Sequence, residues 1–266
     1  MYNRYIVFGN YALTDPGGYC GYRLIGHEQN QNRQIYELSK QVALLNEQAK
    51  GSDRAESFKT KQGYHYLAIG NSITLHGITD YWWGEWGMAA STEKSDYVNI
   101  VTSFLKDKGD NEVVNVAYNY SVWEIQSHDR AQTWEFLDYY LFPGIDLITV
   151  QLSENCSDIA TFQSDFRAFI NHVKEKCGED LQIIVIDDFW DHDKGGMKKT
   201  VCEEMGITFI DLSDIKGKDE YQANLGMKVY GKNGEKHVVE HGGVASHPGD
   251  AGMKIIADRI IEKLND

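Results

Sequence analysis

Ser72, Asn155 and His247 are residue types that a nucleophilic hydrolase combines, although they lie far apart in the chain. A serine hydroxyl becomes a useful nucleophile when a base accepts its proton, and histidine is the usual base. Asn155 and the backbone N–H of Ser72, at the start of a predicted helix, are candidate donors to a developing oxyanion. The plain alternative is that Ser72 caps that helix, His247 stands in a turn, and Asn155 bonds its own backbone.

Short apolar segments precede the loops that carry these residues. They are YHYLAIG (64–70), EVVNVAY (112–118), DLITVQL (146–152), LQIIVID (181–187) and GITFIDL (206–212). Helix-like stretches separate them, and the chain ends in the amphipathic stretch 249–266. Apolar strands that alternate with helices predict a parallel sheet covered on both faces. We therefore predict a three-layer α/β/α fold with a five-stranded parallel sheet, whose site lies at the carboxyl ends of the strands.

Ordered sequence blocks carry a resemblance to a known family. The blocks are GNSIT (70–74), NVAYNYS (115–121), LSENCSD (152–158) and HPGDAGM (247–253). Together they resemble the SGNH/GDSL hydrolases, in a bacterial carbohydrate-esterase-like branch, over roughly residues 64 to 264. The resemblance implies a flavodoxin-like domain in which Ser72 is the nucleophile and His247 is the base. It also implies that Asn155 and the Ser72 N–H are oxyanion donors.

The chain departs from the usual pattern of that family inside three blocks. Asn71 stands where the first block usually has Asp, and Ser153 stands where the third block usually has Gly. Tyr120 occupies the position of the second-block glycine whose N–H is an oxyanion donor. A backbone N–H can serve there if the φ and ψ of a non-glycine residue allow it, so the expected donor is Tyr120 or Ser121.

The group that orients the His247 ring is the largest departure. Most members of the family have Asp three residues before the histidine, where this chain has Val244. Replacing the orienting Asp of a serine-protease triad by Asn costs about 10⁴ in kcat, so another acceptor is needed. The backbone carbonyl of Val244 ranks first. The side-chain alternatives are Asp188, Asp191 and Glu240.

An aromatic stretch, ITDYWWGEWGMAAS (78–91), follows the first block. Tryptophan is usually largely buried, but three tryptophans within five residues are not expected to face one core. We predict that some line the substrate cleft, together with later tryptophans. The substrate-binding candidates are Trp83, Trp86, Trp123 and Trp190. Flat aromatic surfaces with carboxyl groups nearby, at Glu85, Glu124 and Asp191, would suit a sugar ring.

These residues predict a serine hydrolase acting on carboxylic ester bonds. The favoured activity is removal of small acyl groups, acetyl first among them, from a saccharide. Two alternatives stay open: an O-acyltransferase that uses the same Ser-His pair, and a non-catalytic carbohydrate-binding protein. The transferase shares the acyl-enzyme with the esterase, so sequence does not separate them.

Composition excludes other classes of partner. The chain of 266 residues has a net charge of −14, which disfavours nucleic acid and anionic membrane. No stretch approaches the ~18 apolar residues of a spanning helix. The four cysteines, Cys20, Cys156, Cys177 and Cys202, form no CxxC pair, and histidines show no zinc-ligand spacing, so we expect buried thiols and neither metal nor cofactor. The first residues lack a signal-peptide pattern, which predicts a cytoplasmic protein unless a leader has been lost.

A polar stretch over residues 49–63 separates the N-terminal part from the rest. We predict an N-terminal extension over 1–60, with short strands and an amphipathic helix at 30–50, and a hydrolase-like domain over 61–266. The apolar residues of that helix recur at steps of three and four. Packing on its own domain is favoured, and homo-oligomerisation through this helix is the alternative.

Overall fold

The computed structural model describes residues 53–109, 112–126, 129–190 and 194–265. The chain divides into two units, residues 1–50 and 51–266, and the described residues all belong to the second unit. The predicted N-terminal strands, the predicted helix at 30–50, Cys20 and Asp191 lie outside the described residues.

Parallel strands form the central sheet. They are β1 (Tyr64–Gly70), β2 (Val113–Asn119), β3 (Leu147–Gln151), β4 (Gln182–Ile186) and β5 (Thr208–Ile210). Their spatial order is β2-β1-β3-β4-β5, with every neighbouring pair parallel. This is the strand order of flavodoxin-like folds. The predicted α/β class with a five-stranded parallel sheet is therefore confirmed.

Helices cover both faces of the sheet. They are α1 (53–60), α2 (Tyr97–Lys108), α3 (Ser121–Ile125), α4 (Trp134–Leu137), α5 (Phe162–Cys177), α6 (Lys194–Met205), α7 (Gly242–Ala245) and α8 (Asp250–Lys263). Helices α2 and α8 pack in one hydrophobic cluster, and α1, α5 and α6 pack in the other. Alternate residues of β1 divide between the two clusters, because successive strand side chains point to opposite faces. None of the helices in the described part of the chain is long and apolar enough to cross a membrane.

Helix α1, which the sequence analysis grouped with the N-terminal extension, packs against the α/β unit. Phe58 is buried, and its ring meets His65 and Phe142 edge-on at centroid distances of 5.2 and 5.6 Å. Ala55 is buried in the same cluster. Helix α1 belongs to the second unit, which begins at Gly51, ten residues before the predicted start of the hydrolase-like domain at residue 61.

Three strands end side by side, which brings three loops together. In the sheet register, Gly70 pairs with Asn119 of β2 on one side and with Gln151 of β3 on the other. Strand order reverses between β1 and β3, the place where open α/β sheets bind ligands. A Cβ at Gly70 would lie 1.9 Å from Thr74 Oγ1, so the turn out of β1 requires glycine.

An antiparallel hairpin, β6 (Lys228–Tyr230) and β7 (Lys236–Val238), lies beside the aromatic stretch. The N–H of Lys232, between the two strands, donates to the Trp83 carbonyl at 3.3 Å. The N–H of Tyr230 in β6 donates to the carbonyl of Ser91, the last residue of the stretch, at 2.8 Å, so the hairpin binds the aromatic stretch at two points.

Three of the cysteines are described, and all three are buried free thiols. Burial raises the pKa of Cys156 and Cys177 to about 11 and that of Cys202 to about 12. Thiols held in the protonated form are poor nucleophiles, so these side chains serve packing.

Candidate active site

Ser72 lies on a single turn that follows β1. The N–H groups of Thr74 and Leu75 both donate to the Asn71 carbonyl at 3.0 Å. The Asn71 side-chain oxygen accepts from the Ile73 N–H at 3.0 Å, which closes a side-chain turn around Ser72.

The helix predicted after Ser72 does not form. The Ser72 carbonyl accepts from the Met88 N–H at 2.8 Å, and the His76 N–H donates to the Trp86 carbonyl at 3.0 Å. The aromatic stretch therefore folds back and takes the backbone groups that a helix would have used internally.

Ser72 and His247 are in direct contact. Ser72 Oγ lies 2.8 Å from His247 Nε2, and the Gly243 carbonyl oxygen lies 2.6 Å from Nδ1 of the same ring. A carbonyl only accepts, so the neutral ring carries its proton on Nδ1. Nε2 is then an acceptor aimed at the Ser72 hydroxyl, which is the arrangement of a base beside its nucleophile.

The carbonyl that holds the ring is that of Gly243, not that of Val244 as the sequence analysis ranked first. The Val244 carbonyl accepts from the backbone N–H of His247 at 3.0 Å. In a regular helix that N–H would bond the carbonyl of Gly243, four residues earlier. At the end of α7 the His247 N–H instead bonds the carbonyl three residues earlier, as in a 3₁₀ turn. The Gly243 oxygen is therefore left for the ring.

The side-chain alternatives for orienting His247 are placed elsewhere. Asp188 is fully buried and pairs with Lys198 Nζ at 2.7 Å, and it also accepts from the Ser153 hydroxyl. Glu240 is exposed, and Asp191 lies outside the described residues. Within the described chain, the partners of the His247 ring nitrogens are Ser72 and Gly243.

His247 is held between α7 and α8 and shielded from water. Its carbonyl accepts from the Ala223 N–H at 2.9 Å, and the Trp190 ring meets the imidazole edge-on at 4.8 Å. Its exposed fraction is 8%. Burial lowers the pKa of His247 to about 4, the bond to Gly243 opposes this, and His76 and His241 lower the pKa further. The ring is therefore neutral, and able to accept a proton, at neutral pH.

The N–H groups expected from the second block are occupied. The Tyr120 N–H donates to the Gly70 carbonyl at 2.6 Å, and the Ser121 N–H donates to Asn119 Oδ1 at 3.0 Å. Tyr120 and Ser121 therefore do not offer a free donor, which corrects the sequence-based assignment.

Two of the expected donors are still available. The Ser72 N–H has no acceptor among the described residues. Asn155 is exposed, and its Nδ2 donates one hydrogen to Glu124 Oε2 at 2.5 Å. A primary amide carries two hydrogens, so a second N–H of Asn155 remains for a ligand.

Glu124 is a buried carboxyl group that links the loops after β1 and β3. It accepts from Asn71 Nδ2 at 3.0 Å and from the Ser153 N–H at 2.6 Å, in addition to Asn155. Ser153 adopts a φ of +125°, a backbone conformation that favours glycine. Its N–H and hydroxyl bonds, to Glu124 and Asp188, hold the strained backbone in place.

The tryptophans predicted to bind substrate are distributed differently. Trp86 and Trp123 are buried, Trp123 among the phenylalanines of α5. Trp86 borders a pocket at the edge of β2, but neither Ser72 nor His247 lines that pocket. Trp83 is partly buried and stacks on His237 at 4.3 Å. Trp190 lies against the His247 ring. The prediction that they line the substrate cleft is thus wrong for Trp86 and Trp123, because each ring packs in one of the two hydrophobic clusters.

An exposed aromatic pair stands beside the Ser-His pair instead. Tyr81 is 39% exposed, and its ring stacks on that of His241 at 4.6 Å and 18°. A Cβ at Gly243 would lie 2.9 Å from His241 Cε1, so the stack adjoins the residue that binds Nδ1 of His247. Tyr81 is not among the residues predicted to bind substrate, because in the sequence it stands beside tryptophans with larger aromatic surfaces.

Metal-binding side chains do not cluster here. Within residues 53–109, 112–126, 129–190 and 194–265, no group of three or more His, Cys, Asp and Glu is placed to hold a metal ion.

Known proteins were compared with the chain by family, by sequence and by structure. No protein-family model matches the chain, and no curated protein matches its sequence. Among solved structures, the chain is similar to the lipase Lip_vut3 from a goat rumen metagenome. The identity is 11% and the TM-score 0.39, over 75% of this chain and 96% of that chain. A likeness of this size carries no argument about activity, so the functional assignment rests on the geometry of the site.

Proposed function

We propose that the protein is a serine esterase that removes small acyl groups, acetyl first among them, from a saccharide. The observation that carries the proposal is the contact of 2.8 Å between Ser72 Oγ and the buried His247 Nε2. The Gly243 carbonyl holds the ring in the tautomer that accepts the hydroxyl proton. A serine that merely capped a helix would need no such partner.

The chemistry follows from the positions of these groups. Nε2 of His247 takes the hydroxyl proton as Ser72 Oγ attacks the ester carbonyl carbon. The Ser72 N–H and the free N–H of Asn155 stabilise the oxyanion of the tetrahedral intermediate. The imidazolium then protonates the leaving alcohol, and water, activated by the same ring, releases the acid and restores Ser72.

The resemblance to SGNH hydrolases supports the same roles. Its blocks carry Ser72, Asn155 and His247 in the family order, and the strand order is flavodoxin-like. The departure at Val244 is compatible with activity, because a backbone carbonyl performs the orienting task of the missing acid.

A saccharide is the alcohol that best fits the surroundings of Ser72. The exposed Tyr81–His241 stack and the partly buried Trp190 offer flat rings beside the Ser-His pair. Such rings stack on the apolar faces of sugars while polar edges remain hydrated. The net charge of −14 disfavours polyanionic glycans at long range, so a neutral acetylated saccharide is the favoured class.

The experiment that tests the proposal is covalent trapping of the nucleophile. A fluorophosphonate probe should add one adduct to the peptide that contains Ser72, detected by mass spectrometry, and the wild-type protein should hydrolyse a short-chain activated ester. Ser72→Ala should abolish both signals without lowering the unfolding temperature. Turnover retained in a clean Ser72→Ala preparation would remove the serine mechanism.

A further inference from the structure

We propose that Glu124 is a positioning residue for this site: its buried carboxyl group sets the orientation of the Asn155 side-chain amide and requires Asn rather than Asp before the nucleophile. The inference rests on the proposed function. It assigns a role to a residue that does not touch the reacting atoms.

The Glu124 side chain is 1% exposed, and both of its carboxyl oxygens accept hydrogen bonds. Oε1 accepts from Asn71 Nδ2 at 3.0 Å, from the Ser153 N–H at 2.6 Å and from the Asn155 N–H at 3.4 Å. Oε2 accepts from Asn155 Nδ2 at 2.5 Å. A buried acceptor left without donors costs about 1–3 kcal/mol, so these bonds are retained in the folded protein.

Orientation of the Asn155 amide is the first consequence. The two ends of a side-chain amide differ, because one end donates and the other end accepts. A carboxyl oxygen at 2.5 Å selects the donating end at that place. Rotation of the amide by half a turn would exchange NH₂ for an oxygen, which would repel a substrate oxyanion. Glu124 therefore keeps the second N–H of Asn155 available in one orientation.

The identity of residue 71 is the second consequence. Asn71 Nδ2 donates to Glu124 Oε1, and Asn71 Oδ1 accepts from the Ile73 N–H in the turn around Ser72. An Asp at this position would place a second carboxyl group 3.0 Å from Glu124, with no proton between them unless one carboxyl is neutralised. The Gly-Asn-Ser sequence, where related hydrolases usually have Gly-Asp-Ser, is thus matched to the buried acid.

The test is Glu124→Gln, compared with Asn155→Ala and with the double variant. A Gln carbonyl in the Oε1 position keeps three of the four hydrogen bonds, while its NH₂ group faces Asn155 Nδ2 and displaces it. We expect kcat on a short-chain ester to fall by roughly 10²- to 10³-fold with KM little changed, as for the loss of an oxyanion donor. The double variant should be no slower than Asn155→Ala, because both changes remove one donor.

The matched control is Glu154→Gln. Glu154 is a neighbouring buried carboxyl group that accepts from the Phe189 N–H at 2.5 Å. Burial raises the pKa of Glu154 well above its usual range, and Asp188 raises it further. A Gln at this position keeps a carbonyl oxygen to accept from the Phe189 N–H. This variant should keep kcat within about threefold of the wild type. The acidic limb of the kcat/KM profile, set by His247, should not move in Glu124→Gln, whereas general disruption of the site would move it.

The contrary results are specific. Wild-type kcat in Glu124→Gln, or a double variant slower than Asn155→Ala by a further hundredfold, would overturn the positioning role. If Glu124→Gln does not fold, an NMR measurement on the wild-type protein tests the positioning role instead. One Asn155 amide proton, assigned through its loss in Asn155→Ala, should resonate downfield and exchange slowly in the NMR spectrum. Fully averaged amide protons would overturn the proposal. Turnover that survives Ser72→Ala would instead remove the proposed function itself.

Discussion

The Gly243 carbonyl oxygen lies 2.6 Å from Nδ1 of His247, the place where serine triads put a carboxylate. The same oxygen accepts from the Ser246 hydroxyl at 2.9 Å. A carbonyl fixes the ring and its tautomer as a carboxylate does, but it brings no full negative charge to the imidazolium that forms during the reaction. We therefore draw predictions from this contact about the role of acidic side chains and about the pH dependence of activity and stability.

No acidic side chain should match Ser72 and His247 in importance. Glu240 is exposed, so Glu240→Ala should keep kcat/KM within about threefold. Asp188→Asn should lower the unfolding temperature, because removing one partner of a buried ion pair costs about 3–5 kcal/mol. Its folded fraction should remain active. A loss of about 10⁴ in kcat in either variant, measured beside the thermal transition, would reveal an acid that takes the orienting role.

The pH profile should be flat across the range where an ordinary histidine titrates. Burial lowers the pKa of His247 to about 4, and kcat/KM reports the free enzyme. The rate on a short-chain ester should therefore hold steady from about pH 8 to about pH 5 and fall through a midpoint near 4. A midpoint near 6.5, the value of an unperturbed imidazole, would show that the ring is hydrated in solution. Circular dichroism at each pH separates inactivation from unfolding.

Stability should depend on the same ring, with a definite sign. The folded pKa of about 4 lies below the unfolded value of about 6.5, so the unfolded chain binds the proton first. The free energy of unfolding should therefore fall as pH drops from about 6.5 to 4, by up to about 3 kcal/mol from this residue. His247→Gln, which cannot titrate, should show a shallower slope in urea unfolding at stepped pH. Equal slopes in the two proteins would contradict the burial of a neutral imidazole.

Asn155→Ala should lower kcat by roughly 10²- to 10³-fold with little change in KM, since a donor used in the transition state does not bind the ground state. Asn155→Asp is the more severe change, because it sets a carboxyl group against Glu124 Oε2, which now accepts at 2.5 Å. Steady-state kinetics on one ester gives both numbers. A change confined to KM would mean that Asn155 binds substrate instead.

The predicted strands and the Ser-His pair could be found in the sequence because they depend on local patterns. Each strand is a short apolar run, and Ser72 and His247 stand in blocks whose order is itself informative. The predicted orienting carbonyl, that of Val244, is one residue from the observed one, that of Gly243. A single backbone hydrogen bond at the end of a short helix decides which carbonyl is left for the ring. Backbone acceptors leave no signal in side-chain identity.

Side chains that act through tertiary contacts were harder to predict. In the sequence, a tryptophan that packs in the core looks the same as one that lines a cleft. Only the packing of the folded chain shows that Trp86 and Trp123 are buried. Glu124 is flanked by Val122, Trp123 and Ile125, and an acid in so apolar a segment is the signal that could have marked a buried role. Its partners come from two distant loops, so their identity could not be read locally.

The alcohol part of the substrate should depend on the Tyr81–His241 stack. Tyr81 is exposed and stacks on His241 at 4.6 Å, beside Gly243. Removing one aromatic face costs about 0.5–1.5 kcal/mol, so Tyr81→Ala should raise KM for acetylated oligosaccharides by roughly 2- to 10-fold. KM for a small alkyl acetate, which has no ring to stack, should not change. Acetate release from the oligosaccharide, measured against concentration, gives both constants.

Two comparisons make this last prediction decisive. Tyr81→Phe keeps the ring and should behave as the wild type, whereas the buried Trp86→Phe should affect the unfolding temperature rather than KM. The second comparison is chain length. Acetyl, butyryl and octanoyl esters of one alcohol should show kcat/KM falling as the acyl group grows, since the described surroundings of Ser72 are aromatic and polar rather than a long aliphatic groove. A preference that rises with chain length, with no acetate released from any sugar, would replace the saccharide esterase with a lipolytic enzyme.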